Sequence, residues 1–414
     1  SVVYLYLTLP PEWRTDLPDI TQNWGDFKRG DAEEADEKPT KQTPGALPPE
    51  KIGFHYHRVR LFERFVNRIK PMHSGQKPPF YFIHILLPHV PFIFLPSGKY
   101  YGSDRSVGPN FPYPWNHDPR LLADHYQRHL LQLATADRLL GSLLDKLQET
   151  GLYDQSVVIV MADHGLSSKP GEPRRNITMG NYGDLLSMPL LIKLPGQKQG
   201  KIIDKPVKTI DIYPTLADIL KIPVPAKNHG KSMFAPDYPG FTQLVVHADK
   251  HSNKTGTYPV VTRENLMRQV SDKISIFGEG DTMSLFRIGP HKEWIGKPVA
   301  QLGPAVQPAS SGWSASLDNA EAYRHVDLNS RYLPAMVQGT LSVKPGEALP
   351  TEVWVAVNQT LWATYPVLEK SGNRLKFYAM APEEAFKSGQ NQVQLLVPVG
   401  NPAAPQALVV IEGK

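Results

Sequence analysis

The chain contains no cysteine. The absence of cysteine excludes disulfide bonds, thiolate metal sites and a cysteine nucleophile within these 414 residues. The basic residues that give a formal net charge of +5 are scattered and form no run interleaved with aromatic residues. We therefore expect no nucleic-acid partner, whereas an anionic substrate or an anionic membrane surface fits this mild excess of positive charge.

Long hydrophobic runs are missing as well. The most apolar stretch, residues 79–96, contains two histidines and several prolines and is too short to span a bilayer. The sequence begins at Ser1 inside an apolar run and shows no signal peptide. We therefore expect a fragment or a processed form of a longer protein.

The composition is that of a globular protein, with 41% hydrophobic and 21% charged residues. A length of 414 residues predicts about two domains. Residues 1–300 alternate strand and helix patterns, which predicts an α/β domain with a mainly parallel sheet flanked by helices. Residues 301–334 are rich in Ser, Ala, Pro and Gly and predict an irregular linker. Residues 335–414 show short alternating strands and predict a small β-sandwich.

The spacing of apolar residues predicts six elements in the first domain. They are an amphipathic helix over 58–70, a buried strand over 80–87, a long helix over 119–150, buried strands over 156–162 and 188–194 and a further helix over 210–222. The long helix carries an apolar stripe that includes Leu133. Because the strand over 156–162 is apolar without alternation, we expect it to be covered on both faces.

The triplet Asp163-His164-Gly165 directly follows this strand. In open parallel sheets, ligand-binding groups lie at the carboxyl ends of the strands. A carboxylate oxygen beside an imidazole nitrogen suits a divalent metal, so Asp163 and His164 are predicted metal ligands. The alternative is an aspartate that merely caps a turn.

Several segments in consecutive order resemble the sulfatase and alkaline-phosphatase superfamily. They are the helix ending DRLLGSLLDKLQETGLYDQS, the strand and turn VVIVMADHG, the strand MPLLIKLPG and the helix start KTIDIYPTLADIL. The upstream segment PFYFIHILLPHVPF is similar to the Pro-His-x-Pro segment of that family. The resemblance covers residues 78–235 and implies a sulfatase-like fold that is incomplete at its N-terminus.

The resemblance implies metal-dependent hydrolysis of a sulfate or phosphate ester. The histidine after the aspartate implies zinc or manganese rather than calcium, since imidazole favours transition metals. By the same resemblance, His89 contacts the substrate anion and Arg174 and Arg175 hold it, although a solvated basic loop is the alternative for the arginines. No serine or cysteine stands in the family's nucleophile frame. The nucleophile is therefore expected upstream of Ser1, and the fragment alone is expected to be inactive.

Two further segments, LLPHVPFIFLPSGKYY and FRIGPHKEWIGKPV, resemble bacterial membrane proteins whose sulfatase-like domain follows transmembrane helices. This likeness implies an extracytoplasmic domain, periplasmic or at the cell surface, that is anchored through segments absent from this chain. The implied substrate is an anionic ester of a lipid or a glycan. Two alternatives stay open: a phosphoethanolamine or phosphoglycerol headgroup transferase, and a sulfatase-like binding protein without catalysis.

Overall fold

The structure is a computed structural model that describes residues 56–102, 119–224, 228–247, 255–309, 312–364 and 366–414. The helices in these ranges are α1 (Arg58–Asn67), α2 (Pro119–Glu149), α3 (Tyr182–Leu186), α4 (Ile212–Leu220), α5 (Arg263–Phe277) and α6 (Ala320–Arg324). None of the helices in the described ranges has the length and apolar character needed to cross a bilayer.

The strands fall into two groups along the chain. The first group is β1 (Val158–Met161), β2 (Leu190–Lys193), β3 (Gln243–His247) and β4 (Thr255–Pro259). The second group is β5 (Ala305–Pro308), β6 (Ser314–Leu317), β7 (Met336–Ser342), β8 (Trp354–Val357), β9 (Thr360–Ala363), β10 (Val367–Ser371), β11 (Arg374–Met380), β12 (Val393–Val399) and β13 (Ala407–Glu412).

The helices α1, α2 and α4 confirm the three predicted helices, and α1 and α2 pack side by side. Proline at position 119 suits the first turn of α2, because its fixed φ is already helical. Gly151, at φ +71°, reverses the chain just after the helix ends. The two helices share a cluster of buried apolar side chains formed by Val59, Phe62, Val66, Ile93, Phe94, Tyr100, Leu139, Ala322 and Tyr332.

The buried face of α2 is more polar than the predicted leucine stripe. Leu133 is 44% exposed, whereas Gln132 and Thr135 are fully buried. Gln132 accepts a hydrogen bond from the backbone N–H of Ile93, and Thr135 donates to the carbonyl of Leu95. Because residues 86–93 have no strand partner among the described residues, much of their backbone bonds to side chains instead. The inner face of α2 therefore carries polar residues, which supply these hydrogen bonds.

The strand predicted over residues 80–87 is wrong. This stretch is irregular, and the side chains of Phe80 and Phe82 are 77% and 42% exposed. Its composition is that of a strand, but no strand among the described residues pairs with it. An apolar segment forms a strand only where a neighbouring strand satisfies its backbone N–H and C=O groups.

The strands β1 and β2 form an antiparallel pair that runs from Val158 opposite Lys193 to Met161 opposite Leu190. The α/β class is confirmed, but the prediction of a mainly parallel sheet is wrong for this pair. A parallel pair needs a crossover that returns the chain to its starting end, usually through a helix. The fully described connection 162–189 contains only the five-residue α3 as a helix. The strand β2 therefore begins at the same end of the pair at which β1 finishes. The expected cover on both faces is also wrong, since Met161 is 40% exposed.

The second group of strands forms the predicted β-sandwich. In the described residues, one sheet has the order β10-β11-β7-β6 and the other the order β5-β13-β12-β8-β9. Both sheets contribute to one core, with Leu341 and Phe377 from the first and Trp354 and Leu395 from the second.

Residues 301–334, predicted as an irregular linker, contribute β5 and β6 to these sheets. The strand β5 pairs in parallel with β13, and β6 pairs antiparallel with β7. Each is four residues long; β5 is exposed throughout and β6 alternates exposed serines with the small Ala315 and Leu317, so neither leaves a strong apolar pattern in the sequence. The domain boundaries at 300 and 335 themselves stay a prediction.

Candidate functional site

The turn after β1 is locked against α3. The backbone N–H of Gly165 donates to the carbonyl of Leu185 at 3.0 Å. A Cβ at position 165 would collide with the carbonyl oxygen of Asp184, so this close approach requires glycine. The glycine therefore fixes where the preceding Asp163 and His164 lie.

His164 is held in a single tautomer by its own turn. Its Nδ1 lies 2.8 Å from the carbonyl oxygen of Gly165. A carbonyl oxygen can only accept, so Nδ1 donates its proton here, and in the neutral imidazole the lone pair lies on Nε2. Metal-binding histidines commonly donate their second N–H to a backbone carbonyl in this way. The side chain is 43% exposed and therefore reachable by a ligand.

The carboxylate of Asp163 lies beside this imidazole and is 70% exposed. One oxygen accepts the backbone N–H of His164 at 2.9 Å, and the other lies 3.9 Å from the Nε2 atom of His164. Two ligands of one metal at about 2.1 Å each lie at most about 4.2 Å apart. The donor types and their separation therefore fit two positions of a divalent metal site.

This pair is an incomplete set of metal ligands. Among the described residues, no group of three or more His, Cys, Asp or Glu side chains lies close enough to hold a metal. A full coordination sphere needs ligands in addition to Asp163 and His164.

His89 reaches the site from a different part of the chain, the segment before Pro91. Its Nδ1 lies 2.6 Å from the carbonyl oxygen of Val90, so Nδ1 donates here and the lone pair of the neutral ring lies on Nε2. Burial lowers the pKa of His89, a hydrogen bond with the Val90 backbone partly raises it, and the charges of Arg175, Arg58 and Arg174 lower it again. His89 is therefore neutral at neutral pH.

Arg175 joins the two histidines. Its Nη2 atom lies 2.8 Å from Nε2 of His89 and 3.0 Å from Nε2 of His164. Two imidazole lone pairs from distant parts of the chain thus converge on one cationic nitrogen. Arg174 is also close enough to lower the pKa of His89 by its charge. The structure brings the five predicted residues into one region, and their roles stay predictions.

Sequence reasoning missed a set of polar residues beneath this site. His125 on α2 is 6% exposed, and its burial, together with the charges of Arg128, His129 and Arg174, lowers its pKa well below 6.5. Arg58 on α1 is fully buried. The available signal was the helical spacing of polar residues on α2, which recur at 124, 125, 128, 132 and 135.

Comparison with known proteins identifies relatives of part of this chain. Residues 24–222 match the sulfatase family. Arylsulfatase K of Bos taurus is 32% identical over 120 residues, which are 29% of this chain and 21% of that protein. Arylsulfatase K of Homo sapiens is 35% identical over 100 residues, which are 24% of this chain and 18% of that protein. The chain spans about a fifth of the length of these curated relatives.

Two solved structures are similar over part of the fold. A putative sulfatase from Bacteroides thetaiotaomicron is 17% identical with a TM-score of 0.33, and the match covers 50% of this chain and 51% of that one. A phosphonate monoester hydrolase from Silicibacter pomeroyi is 21% identical with a TM-score of 0.27, and the match covers 49% and 34% of the two chains.

Proposed function

Residues 24–222 match the sulfatase family, and on this premise we propose that the protein belongs to the sulfatase and alkaline-phosphatase superfamily and hydrolyses a sulfate ester with the help of a divalent metal. One observation carries the proposal. The Nε2 atoms of His89 and His164 and the guanidinium of Arg175 meet at the end of β1, directly beside Asp163. A phosphate ester has the same tetrahedral anion and is the alternative substrate.

Arg175 is proposed to bind the ester anion. A guanidinium presents several N–H donors in one plane and grips tetrahedral oxyanions with two of them. The side chain is exposed and reaches the space between both histidines. Arg174 adds a second positive charge to the same region.

His89 is proposed to act as a general base and then as a general acid. It is neutral and presents an unprotonated Nε2 towards the site. When Arg175 turns to the substrate, this nitrogen is free to take the proton of the attacking nucleophile and to return it to the leaving oxygen. The nucleophile itself is not among these residues.

Asp163 and His164 are proposed to hold the metal. A divalent metal supplies a positive charge that neutralises the anion and lowers the pKa of the nucleophile. One imidazole in the donor set favours zinc or manganese over calcium. We further propose an extracytoplasmic location, an ester carried by a lipid or a glycan, and membrane attachment outside this sequence.

The test is metal content and turnover of the full-length protein with 4-nitrophenyl sulfate and 4-nitrophenyl phosphate. Asp163→Ala and His164→Ala should each lower bound metal and reduce turnover by about a hundredfold. Asp137→Ala is the matched control, because Asp137 is exposed on α2, and it should leave both unchanged. If the full-length protein contains no divalent metal and Asp163→Ala leaves its turnover unchanged, the proposal is refuted and a binding protein is supported.

A headgroup transferase is the second candidate, since it also places a histidine after the aspartate. Incubation of the full-length protein with labelled phosphatidylethanolamine separates the two functions. Transfer of the headgroup to an acceptor, without release into water, would favour the transferase. Release of free sulfate from the aryl ester would favour the hydrolase.

A further inference from the structure

The backbone carbonyls of the segment that carries His89 converge on one buried side chain. The Nη1 atom of Arg58 donates to the carbonyls of Leu86 at 2.8 Å, His89 at 2.5 Å and Pro91 at 3.5 Å, and its Nη2 donates to that of Val90 at 3.0 Å. The Arg58 side chain is fully buried. A single guanidinium therefore holds the backbone on both sides of His89.

A second side chain binds the same backbone from the neighbouring helix. The Nε2 atom of Gln132 donates to the carbonyl of His89 at 2.7 Å, and its Oε1 accepts the N–H of Ile93 at 2.9 Å. Gln132 is also fully buried. Because α1 and α2 share one apolar cluster, the donors from the two helices are fixed relative to each other.

These bonds replace the ladder that a strand would have. The segment 86–91 is irregular, and Pro88 and Pro91 cannot donate backbone hydrogen bonds. A guanidinium stays charged at every working pH and offers five donors in one plane, which suits several carbonyls at once. Burial of a charge is unfavourable unless its hydrogen bonds are made, so the bonds to this segment account for an arginine where an apolar residue would pack α1.

We propose that Arg58 and Gln132 are positioning residues, which set the place of the His89 imidazole through the backbone of residues 86–91. The proposal rests on the role of His89 in the proposed function. The imidazole follows the backbone closely, because its Nδ1 is bound to the carbonyl of Val90, one of those that Arg58 holds. A shift of this backbone moves Nε2 away from Arg175 and His164.

A double-mutant cycle on the full-length protein tests this, with turnover of 4-nitrophenyl sulfate as the readout. Arg58→Lys keeps the charge but cannot reach all four carbonyls. It should lower kcat by about a hundredfold with little change in KM, which is the size of effect expected from a displacement of about 1 Å. In the His89→Ala background the same substitution should have almost no effect, since the group it positions is gone. Arg64→Lys, exposed on the same helix, is the control and should match wild type.

The outcomes separate the inference from the proposed function. An equal loss of kcat from Arg58→Lys with and without His89 would show a merely structural role and overturn the inference alone. Unchanged turnover in His89→Ala would overturn the role of His89 and the inference with it. If Arg58→Lys loses its thermal unfolding transition, Gln132→Met takes its place in the same cycle, with the same expected and contrary results.

Discussion

His129 lies on α2 beside the rings of Phe92 and Tyr126, whose centroids are 5.2 and 5.4 Å from that of the imidazole. Burial and the positive charge of Lys273 lower the pKa of His129 from 6.5 to about 4, against an opposing hydrogen bond with the backbone of Pro88. The imidazole is therefore neutral in the folded protein at pH values at which the unfolded chain is already protonated.

This difference makes stability depend on pH with a definite sign. Between pH 6.5 and 4 the unfolded state binds more protons than the folded state, so the free energy of unfolding falls as the pH falls. The two pKa values are about 2.5 units apart, and each unit is worth about 1.4 kcal/mol. His129 alone therefore accounts for a loss of up to about 3 kcal/mol. His125 acts in the same direction, because burial lowers its pKa too.

The assay is urea unfolding followed by far-ultraviolet circular dichroism, to which the 31-residue α2 contributes strongly. His129→Gln keeps a donor for the Pro88 carbonyl and removes the titration. Its free energy of unfolding should fall less between pH 6.5 and 4 than that of wild type, by up to about 3 kcal/mol. His73→Gln, at an exposed position, should follow wild type. If His129→Gln also follows wild type, the surroundings do not hold this histidine neutral, and the reasoning is refuted.

Three further predictions concern the site and its support. Gly165→Ala should lower the free energy of unfolding by about 1–3 kcal/mol, because its Cβ meets the Asp184 carbonyl. Gly141→Ala, where a Cβ is in open space, is the control in the same urea titration. Equal stability of the two variants would contradict the prediction. Asp211→Ala should cost about 2–4 kcal/mol in urea unfolding, since its buried carboxylate accepts two backbone N–H groups and the hydroxyl of Tyr238; a loss below about 1 kcal/mol would count against it. Arg175→Lys should raise the inhibition constant of inorganic sulfate about tenfold in a competition assay, and an unchanged constant would exclude a bidentate contact.

The sequence predicted α1, α2 and most sandwich strands because their apolar residues repeat with clear periods. It failed over residues 80–87, where the composition of a strand is present but a partner strand is not among the described residues. It also failed for the direction of β2 relative to β1, because strand patterns carry no information about how the connecting chain returns. Strand pairing depends on two segments together, so the pattern of one segment alone does not predict it.

The candidate site was predictable in its parts. Asp163 and His164 stand at a strand end, and a resemblance pointed to His89 and the two arginines. The contact between Arg175 and His89 joins residues 86 positions apart, and no local pattern predicts such a distance. Arg58 was missed because an arginine on an amphipathic helix is normally solvated. Its spacing from Phe62 and Phe65, by four and seven residues, nevertheless puts it on the apolar face.

The polar inner face of α2 and the irregular segment 86–95 explain each other. Residues 86–93 have no strand partner among the described residues, and Gln132, Thr135 and Arg58 supply hydrogen bonds to the segment. Such bonds hold individual carbonyls at fixed points, whereas a ladder would hold a straight strand. This arrangement lets the backbone bend at Pro88 and Pro91 and still present His89 at a defined place. The polar side chains buried on the two helices therefore form the rigid support of the site, and conservative substitutions there should lower kcat.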